Sequence, residues 1–396
     1  MLLSSYKTIY RSVSNVKKRF LTLFLCLSLI LSLKSYGFES IQECRADSQM
    51  PFADAGGVVV MEANSGRIIY SRNMNQKLPM ASTTKILTTL IALEQSNIEE
   101  EFTVKEKDFI AEGSSMGLRD GDKVSLETLC YGMILPSGND AANATAVKIA
   151  GSKEKFADMM NAKAEEIGMY DSHFVTPSGL DDENHYSTAH DMGILTCKAL
   201  KNEKFKEICG MYTKRIMLGN PPTERTLVNY NKLLNRYDYC TGVKTGYTDN
   251  ARRCLISSAC KNGIDLVIVT LNCHDDFNFH TELYEYFFDK LKLYDLSEYT
   301  DNIYLNVAGM DKKLKAEVLN IPLVPLFDGE KEKIKAEVTC DNIIYQPIEK
   351  GQYLGEVKLM IDKELIYKTD LVSPVKTEII NKKSKIHFIS DKFMIK

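Results

Sequence analysis

The apolar positions divide the chain into segments of different period. Residues 57–63 (Gly-Val-Val-Val-Met-Glu-Ala) form a short run rich in β-branched side chains, which predicts a strand. Asn64-Ser65-Gly66 marks a turn, and residues 67–71 return as the second arm of a hairpin. A helix then starts near Ser82 and runs to about Gln95. Ile86, Leu87, Leu90, Ile91 and Leu93 cover most of its circumference, so it is predicted to be buried and central. Ser125 caps a helix through Leu129, Met133 and Ile134, and Pro136 stops it. Ser137-Gly138-Asn139-Asp140 makes a tight turn and caps an alanine-rich helix over residues 141–150. Further helices are predicted over residues 153–167 and from Ser187 or Thr188 through Leu200. They flank a loop at 174–186.

Strand signals return at residues 242–248, 255–259 and 264–271, the last two joined by the hairpin signal Lys261-Asn262-Gly263. A helix on Phe279, Leu283, Phe287 and Leu291 follows. Strands at both ends of a mostly helical middle predict an α/β (α+β) body with an antiparallel sheet, residues 50–298. Beyond Tyr299 short alternating segments such as 303–307, 334–338 and 354–361 are separated by Gly, Asp, Asn and Pro, which predicts a small all-β domain at 300–378, sandwich-like in build.

The two ends differ from the rest. Lys7, Arg11, Lys17, Lys18 and Arg19 precede an apolar run at 20–33, and Ser35-Tyr36-Gly37 supplies small residues for cleavage. Residues 1–37 thus have the form of a secretory signal peptide, the alternative being an uncleaved anchor. The mature chain is expected outside the cytoplasmic membrane. Residues 379–396 place Ile386, Phe388, Ile389, Phe393, Met394 and Ile395 among lysines, which suits a membrane-surface helix, a frayed tail or a final strand.

Composition removes other classes. A net charge of −3 gives no electrostatic case for nucleic acid as a partner. Removal of the leader takes Cys26 and leaves nine cysteines, an odd number at irregular spacings. Cys130, Cys197, Cys254 and Cys260 fall inside apolar patterns and are expected to be small buried side chains. No histidine or cysteine spacing suits zinc, so neither a metal nor any other cofactor is expected.

Candidate chemistry begins at Ser82 and Lys85. Three residues apart on a helix, they share a face. Burial disfavours the ammonium, and a neutral lysine takes a proton from a serine hydroxyl. Ser-x-x-Lys alone reads first as a helix cap followed by an exposed lysine. Ser137-Gly138-Asn139 alone is usually a capping turn, and Lys244-Thr245-Gly246 alone usually an exposed strand end. The three occur here in one order, a signature shared by penicillin-binding proteins and class A β-lactamases.

With its flanking segments 113–118, 131–142, 174–180, 186–192 and 242–248, the chain resembles the low-molecular-mass penicillin-binding proteins, the bacterial serine-type D-alanyl-D-alanine carboxypeptidases. The resemblance covers about residues 50 to 375 and implies a penicillin-binding/β-lactamase-like transpeptidase fold followed by the small β domain. It implies that Ser82 attacks the carbonyl of the penultimate D-alanine of a peptidoglycan stem peptide, giving an acyl-enzyme. Lys85 is then the general base, Ser137 a proton relay to the leaving amine, and Asn139 an orienting amide. Lys244, Thr245 and Gly246 bind the peptide and its carboxylate, and the backbone N–H groups of Ser82 and Tyr247 form the oxyanion hole. β-Lactams mimic the substrate and trap Ser82. Asp191 is expected to be structural, and His173, His185 and His190 to lie in loops or at the surface.

Cys240 and Arg252-Arg253 have no assigned role. Where some relatives place carboxylate-binding arginines, this chain offers Tyr230, Lys232 and His280. A β-lactamase would need a Glu-x-x-Leu-Asn loop after the second motif; Glu165-Glu166-Ile167-Gly168-Met169 does not supply it. A non-catalytic peptidoglycan-binding protein is a second alternative, opposed by the intact Ser82, Lys85, Ser137 and Lys244. Endopeptidase action on cross-links, the same bond chemistry, is a third.

Overall fold

The computed structural model describes residues 50–377, apart from 309, 311, 321–322 and 341–343. The expected signal peptide at 1–37 and the tail at 379–396 lie outside the described residues.

Strands β1 (Ala55–Glu62) and β2 (Ile68–Arg72) form the expected hairpin. They join β5 (Cys240–Thr248), β6 (Arg252–Lys261) and β7 (Ile264–Cys273) in a five-stranded sheet of order β2-β1-β7-β6-β5, antiparallel throughout. Helices cover both faces, which is why β1 is apolar at successive positions rather than alternating. Val59 and Met61 pack under the helical middle, whereas Val58 and Val60 pack against α7 (Asp276–Lys290) on the other face.

The middle is built round α1 (Lys85–Leu93), every residue of which is buried. It is entered by a 3-10 turn at Ala81–Thr84, so Ser82 precedes the α-helix proper, and the helix stops at Leu93 rather than at Gln95. Around it lie α2 (Leu126–Ile134), α3 (Asn139–Ala150), α4 (Lys153–Ile167), α5 (Ala189–Ala199) and α6 (Glu203–Gly210). Ser125 caps α2 by accepting from Thr128 N, and of the two candidates for α5 it is Thr188 that accepts, from Asp191 N. The sequence pattern gave no sign of α6, or of the hairpin β3 (Thr213–Leu218) and β4 (Thr223–Val228). That hairpin is mostly exposed and carries Lys214, Arg215, Glu224 and Arg225 in place of an apolar alternation.

After α7 the chain becomes all-β. Strand β8 (Leu291–Asp295) pairs with β9 (Leu323–Phe327), while β10 (Ile334–Cys340), β11 (Tyr353–Ile361) and β12 (Glu364–Val372) join Glu317–Val318 in a four-stranded antiparallel sheet. This part has its own core, which includes Leu326, Val357, Leu359 and Ile366. It meets the first sheet and α7 through apolar packing of Leu293 and Phe327 and through an ion pair: the buried Arg67 guanidinium, at the start of β2, pairs with Glu330 at 2.5 Å and Glu364 at 3.3 Å.

Candidate active site

The three motifs meet. Ser82 sits in the 3-10 turn at the head of α1, Ser137 and Asn139 at the head of α3, and Lys244 on β5, the edge strand of the sheet. Lys85 Nζ lies 2.7 Å from each of three oxygens: Ser82 Oγ, Asn139 Oδ1 and the Ser178 carbonyl. Lys244 Nζ donates to Ser137 Oγ at 2.9 Å and to its neighbour's carbonyl, Thr245 O, at 2.8 Å. Both lysines are fully enclosed. A Cβ on Gly246 would stand 3.1 Å from Ser82 N and 3.0 Å from Met80 O, so glycine lets the edge strand lie against the serine turn.

Burial pushes the Lys85 ammonium well below its ordinary range. The neighbouring charge of Lys244 adds to this, and Asp140 works against it. Burial alone brings Lys244 down to about 7. The partner set of Lys85 then fixes a direction for the proton. A neutral amine has two N–H groups and one lone pair. Asn139 Oδ1 and Ser178 O can only accept, so they take the two N–H groups. The lone pair faces the one partner able to donate, the hydroxyl of Ser82.

The second motif does not cap α3 with its side chains, as the sequence suggested. Gly138 occupies the cap position, and no side chain accepts from the first turn. Ser137 and Asn139 turn to the two lysines instead, because burying an ammonium or a neutral amine requires partners more than a helix end in contact with its own loop does. Asn139 also donates Nδ2 to Glu112 O at 2.6 Å, which fixes which amide atom faces Lys85.

Asp140, read in the sequence only as part of the capping turn, holds the neighbouring loop. Its carboxylate accepts from Ser115 Oγ at 2.6 Å and from the backbone N–H groups of Met116, Gly117 and Leu118 at 2.9 to 3.0 Å. Arg225 of the unexpected hairpin grips the same loop through Gly117 O at 2.6 Å. The only sequence signal for Asp140 was its place directly after Asn139.

His185 is in the expected loop but not at the surface. It is 3% exposed, with Nε2 2.9 Å from Thr84 Oγ1 and Nδ1 accepting from Val175 N, so it ties the loop to the catalytic turn. The expectation for His280 needs correction. It is closed to a carboxylate: it is sealed between α7 and the sheet, bonded to Ser257 and Thr270. His173 is exposed, as expected, whereas His190 is half-buried in the first turn of α5 rather than in a loop or at the surface. Asp191 accepts from Asp171 N and Ser172 Oγ, a structural role. Cys130, Cys197 and Cys254 are buried and Cys260 half-buried. Among the described residues no group of three or more metal-ligating side chains is assembled.

Over residues 45–275 the sequence matches the D-alanyl-D-alanine carboxypeptidase family, and over 304–378 the C-terminal domain of penicillin-binding protein 5. It is 30% identical over 360 residues to D-alanyl-D-alanine carboxypeptidase DacF of Bacillus subtilis, covering 88% of this chain and 92% of that one. It is 34% identical over 224 residues to D-alanyl-D-alanine carboxypeptidase DacB2 of Mycobacterium tuberculosis, covering 56% and 76%. Penicillin-binding protein 5 from Haemophilus influenzae superposes with a TM-score of 0.68 at 27% identity, over 83% of this chain and 98% of that one. The Streptomyces K15 DD-transpeptidase superposes with a TM-score of 0.58 at 28% identity, over 61% and 99%. With the motif order, the antiparallel sheet and the all-β C-terminal part, these matches make the chain a member of the D-alanyl-D-alanine carboxypeptidase family.

Proposed function

We propose that this chain is a serine D-alanyl-D-alanine carboxypeptidase that trims the terminal D-alanine from peptidoglycan stem peptides through an acyl-enzyme on Ser82. The observation that carries the reading is the partner set of Lys85, in which two acceptor-only oxygens leave the lone pair for Ser82 Oγ–H. Lys85 takes the hydroxyl proton as Oγ bonds to the carbonyl carbon of the penultimate residue. The N–H groups of Ser82 and Tyr247 hold the developing oxyanion. The C–N bond then breaks as the leaving amine takes the hydroxyl proton of Ser137, held by Lys244, and Ser137 regains the proton that Lys85 took from Ser82. Water attacks the ester, releasing the shortened peptide and restoring Ser82. Asn139 orients Lys85, while Lys244, Thr245 and Gly246 receive the end of the peptide.

β-Lactams acylate the same serine, a general property of the family. The amine that would serve deacylation, Lys85, has a backbone carbonyl and an amide as its other partners and no glutamate. This favours a long-lived penicillin adduct over the rapid turnover of a β-lactamase.

Residues 50–298 form the catalytic domain in this reading and 300–378 a small β domain. Residues 1–37 direct export, which places the enzyme at the cell wall, where its substrate is. Among the described residues no helix is long and apolar enough to cross a membrane; the tail at 379–396 is the segment proposed to touch the membrane surface.

The test is D-alanine release from diacetyl-Lys-D-Ala-D-Ala together with labelling by a fluorescent penicillin. Wild type is expected to do both and Ser82→Ala neither. Release or labelling that survives in Ser82→Ala would overturn the assignment of the nucleophile.

A further inference from the structure

A second recess lies near the start of β5, away from the serine turn. It opens between the C-terminal end of α5, the start of α6 and the strand ends at Ala63, Thr241, Ser258 and Asp265, and it encloses about 390 Å³. That is the size of a site for a small molecule. Thr241 precedes Lys244 by three residues, about 10 Å along the strand. None of the residues around the recess belongs to the catalytic cleft.

Its charges are its unusual feature. Lys201, just beyond α5, and Lys206, in α6, are exposed at the rim and make no ion pair or hydrogen bond among the described residues. Asp265, half-buried on β7, meets the Cys260 thiol across the ladder but pairs with no cation among the described residues. A lysine and an aspartate that share a small recess can close to an ion pair of under about 4 Å. Here two ammoniums and a carboxylate face one space and stay apart, so that space separates charges of opposite sign.

The floor adds two further constraints. Thr241 Oγ1 and Ser258 Oγ lie 2.7 Å apart, and Ser258 is buried. Two hydroxyls that share one hydrogen bond leave one hydrogen over, a donor for an oxygen in the recess. Beside them Cys197, Leu200 and Leu266 supply apolar surface. Burial, and after it the charge of Glu62, push the Cys197 thiol up to about 12, so it stays neutral and packs as a small apolar group. A ligand that meets these groups together is small, with one carboxylate, one ammonium and a short apolar side chain.

We propose that this recess binds a small free amino acid, its carboxylate toward Lys201, Lys206 and the Thr241–Ser258 pair and its ammonium toward Asp265. The amino acid of that description closest at hand is D-alanine, the product of the proposed reaction. The choice of D-alanine rests on the carboxypeptidase reading; the match of charges does not.

The test is equilibrium dialysis of radiolabelled D-alanine against the full chain with Ser82 acylated by benzylpenicillin, which closes the cleft to the amino acid. One D-alanine per chain is expected to bind, with Kd on the order of 1 mM. The double variant Lys201→Gln/Lys206→Gln and the single variant Asp265→Asn are each expected to weaken it roughly ten-fold, as loss of a charge-assisted hydrogen bond predicts. N-Acetyl-D-alanine keeps the carboxylate and lacks the ammonium. It is expected to compete roughly ten-fold less well than D-alanine on wild type, a comparison that needs no variant, and equally well on Asp265→Asn. Absence of saturable binding to the acylated chain overturns the inference. So does binding that is unchanged in both variants, or N-acetyl-D-alanine competing as well as D-alanine on wild type. Failure of benzylpenicillin to acylate Ser82 would instead overturn the assignment of the nucleophile. The same binding measurements on the unmodified chain and its variants then decide the inference by themselves.

Discussion

Lys244 Nζ lies 2.9 Å from Ser137 Oγ and joins the edge of a sheet to the head of a helix 107 residues earlier in the chain. Burial brings its pKa to about 7, and its charge helps keep that of Lys85 low. In the proposed mechanism, activity depends on one amine being neutral while the other is charged. On acidification, Lys85 gains a proton at its lowered pKa and the base is lost. On alkalinisation, Lys244 loses its charge above about 7. A bell-shaped plot of kcat/KM against pH is expected, its alkaline limb near neutrality. In kcat the limb moves upward, since a bound carboxylate favours the charged lysine. Lys244→Arg, which does not deprotonate, removes the alkaline limb from kcat/KM in whatever activity remains. A flat profile from neutral to alkaline pH in wild type would contradict this account.

Gly179 has φ +85°, and a Cβ there would fall 1.9 Å from Ala81 O. Its neighbour Ser178 carries the carbonyl that accepts from Lys85. Gly179→Ala must displace either the catalytic turn or that carbonyl. D-Alanine release is expected to fall about 100-fold, the usual cost of an ångström-scale misplacement. Helical circular dichroism is expected to be retained, which separates lost geometry from a lost fold.

Asp140 accepts four hydrogen bonds from the 115–118 loop. Asp140→Ala leaves three buried or half-buried N–H groups without that acceptor and is expected to cost about 3 kcal/mol in urea unfolding. Asp140→Asn is milder. Because the Asp140 charge raises the pKa of Lys85, both variants are expected to move the acid limb of kcat/KM to lower pH.

Arg67 spans the two sheets through Glu330 and Glu364. Arg67→Ala leaves Glu330 half-buried without its cation and is expected to destabilise the protein by about 3 kcal/mol. The residue is remote from Ser82 in the fold, so penicillin labelling at low temperature is expected to be unchanged. A double-mutant cycle with Glu330→Ala measures the coupling.

His185 and His280 stay neutral in the fold, with pKa values pushed by burial to about 4 and about 3. Unfolded, both take a proton near the ordinary histidine value, so from there downward the unfolded state binds more protons. Stability from these two groups is thus full above about pH 6.5 and is lost as pH falls toward 4 and 3, by roughly 3 to 5 kcal/mol for each. His280→Asn keeps a side chain able to hydrogen-bond and removes the titration. Its unfolding midpoint is expected to fall less steeply on acidification than that of wild type.

The sequence carried the local elements well where burial imposes a period. The all-buried α1 and the β1–β2 hairpin follow from apolar spacing, and Ser125 and Thr188 from capping chemistry. It missed the 213–228 hairpin because mostly exposed strands need no apolar alternation. His185 lies in the loop as expected, but its burial was not legible, because the loop folds back on the turn that holds Ser82 and bonds the ring there.

The order of Ser82-x-x-Lys85, Ser137-Gly138-Asn139 and Lys244-Thr245-Gly246 was enough to determine the family and the candidate reacting groups, because each residue type is tied to its chemistry wherever it sits. Only the tertiary structure decided which oxygens surround Lys85, that Asp140 and not a cap holds the loop, and that His280 is closed off. The physical reason is that hydrogen bonding and desolvation act over a few ångströms between segments more than a hundred residues apart, and spacing along a chain does not record which of those segments touch.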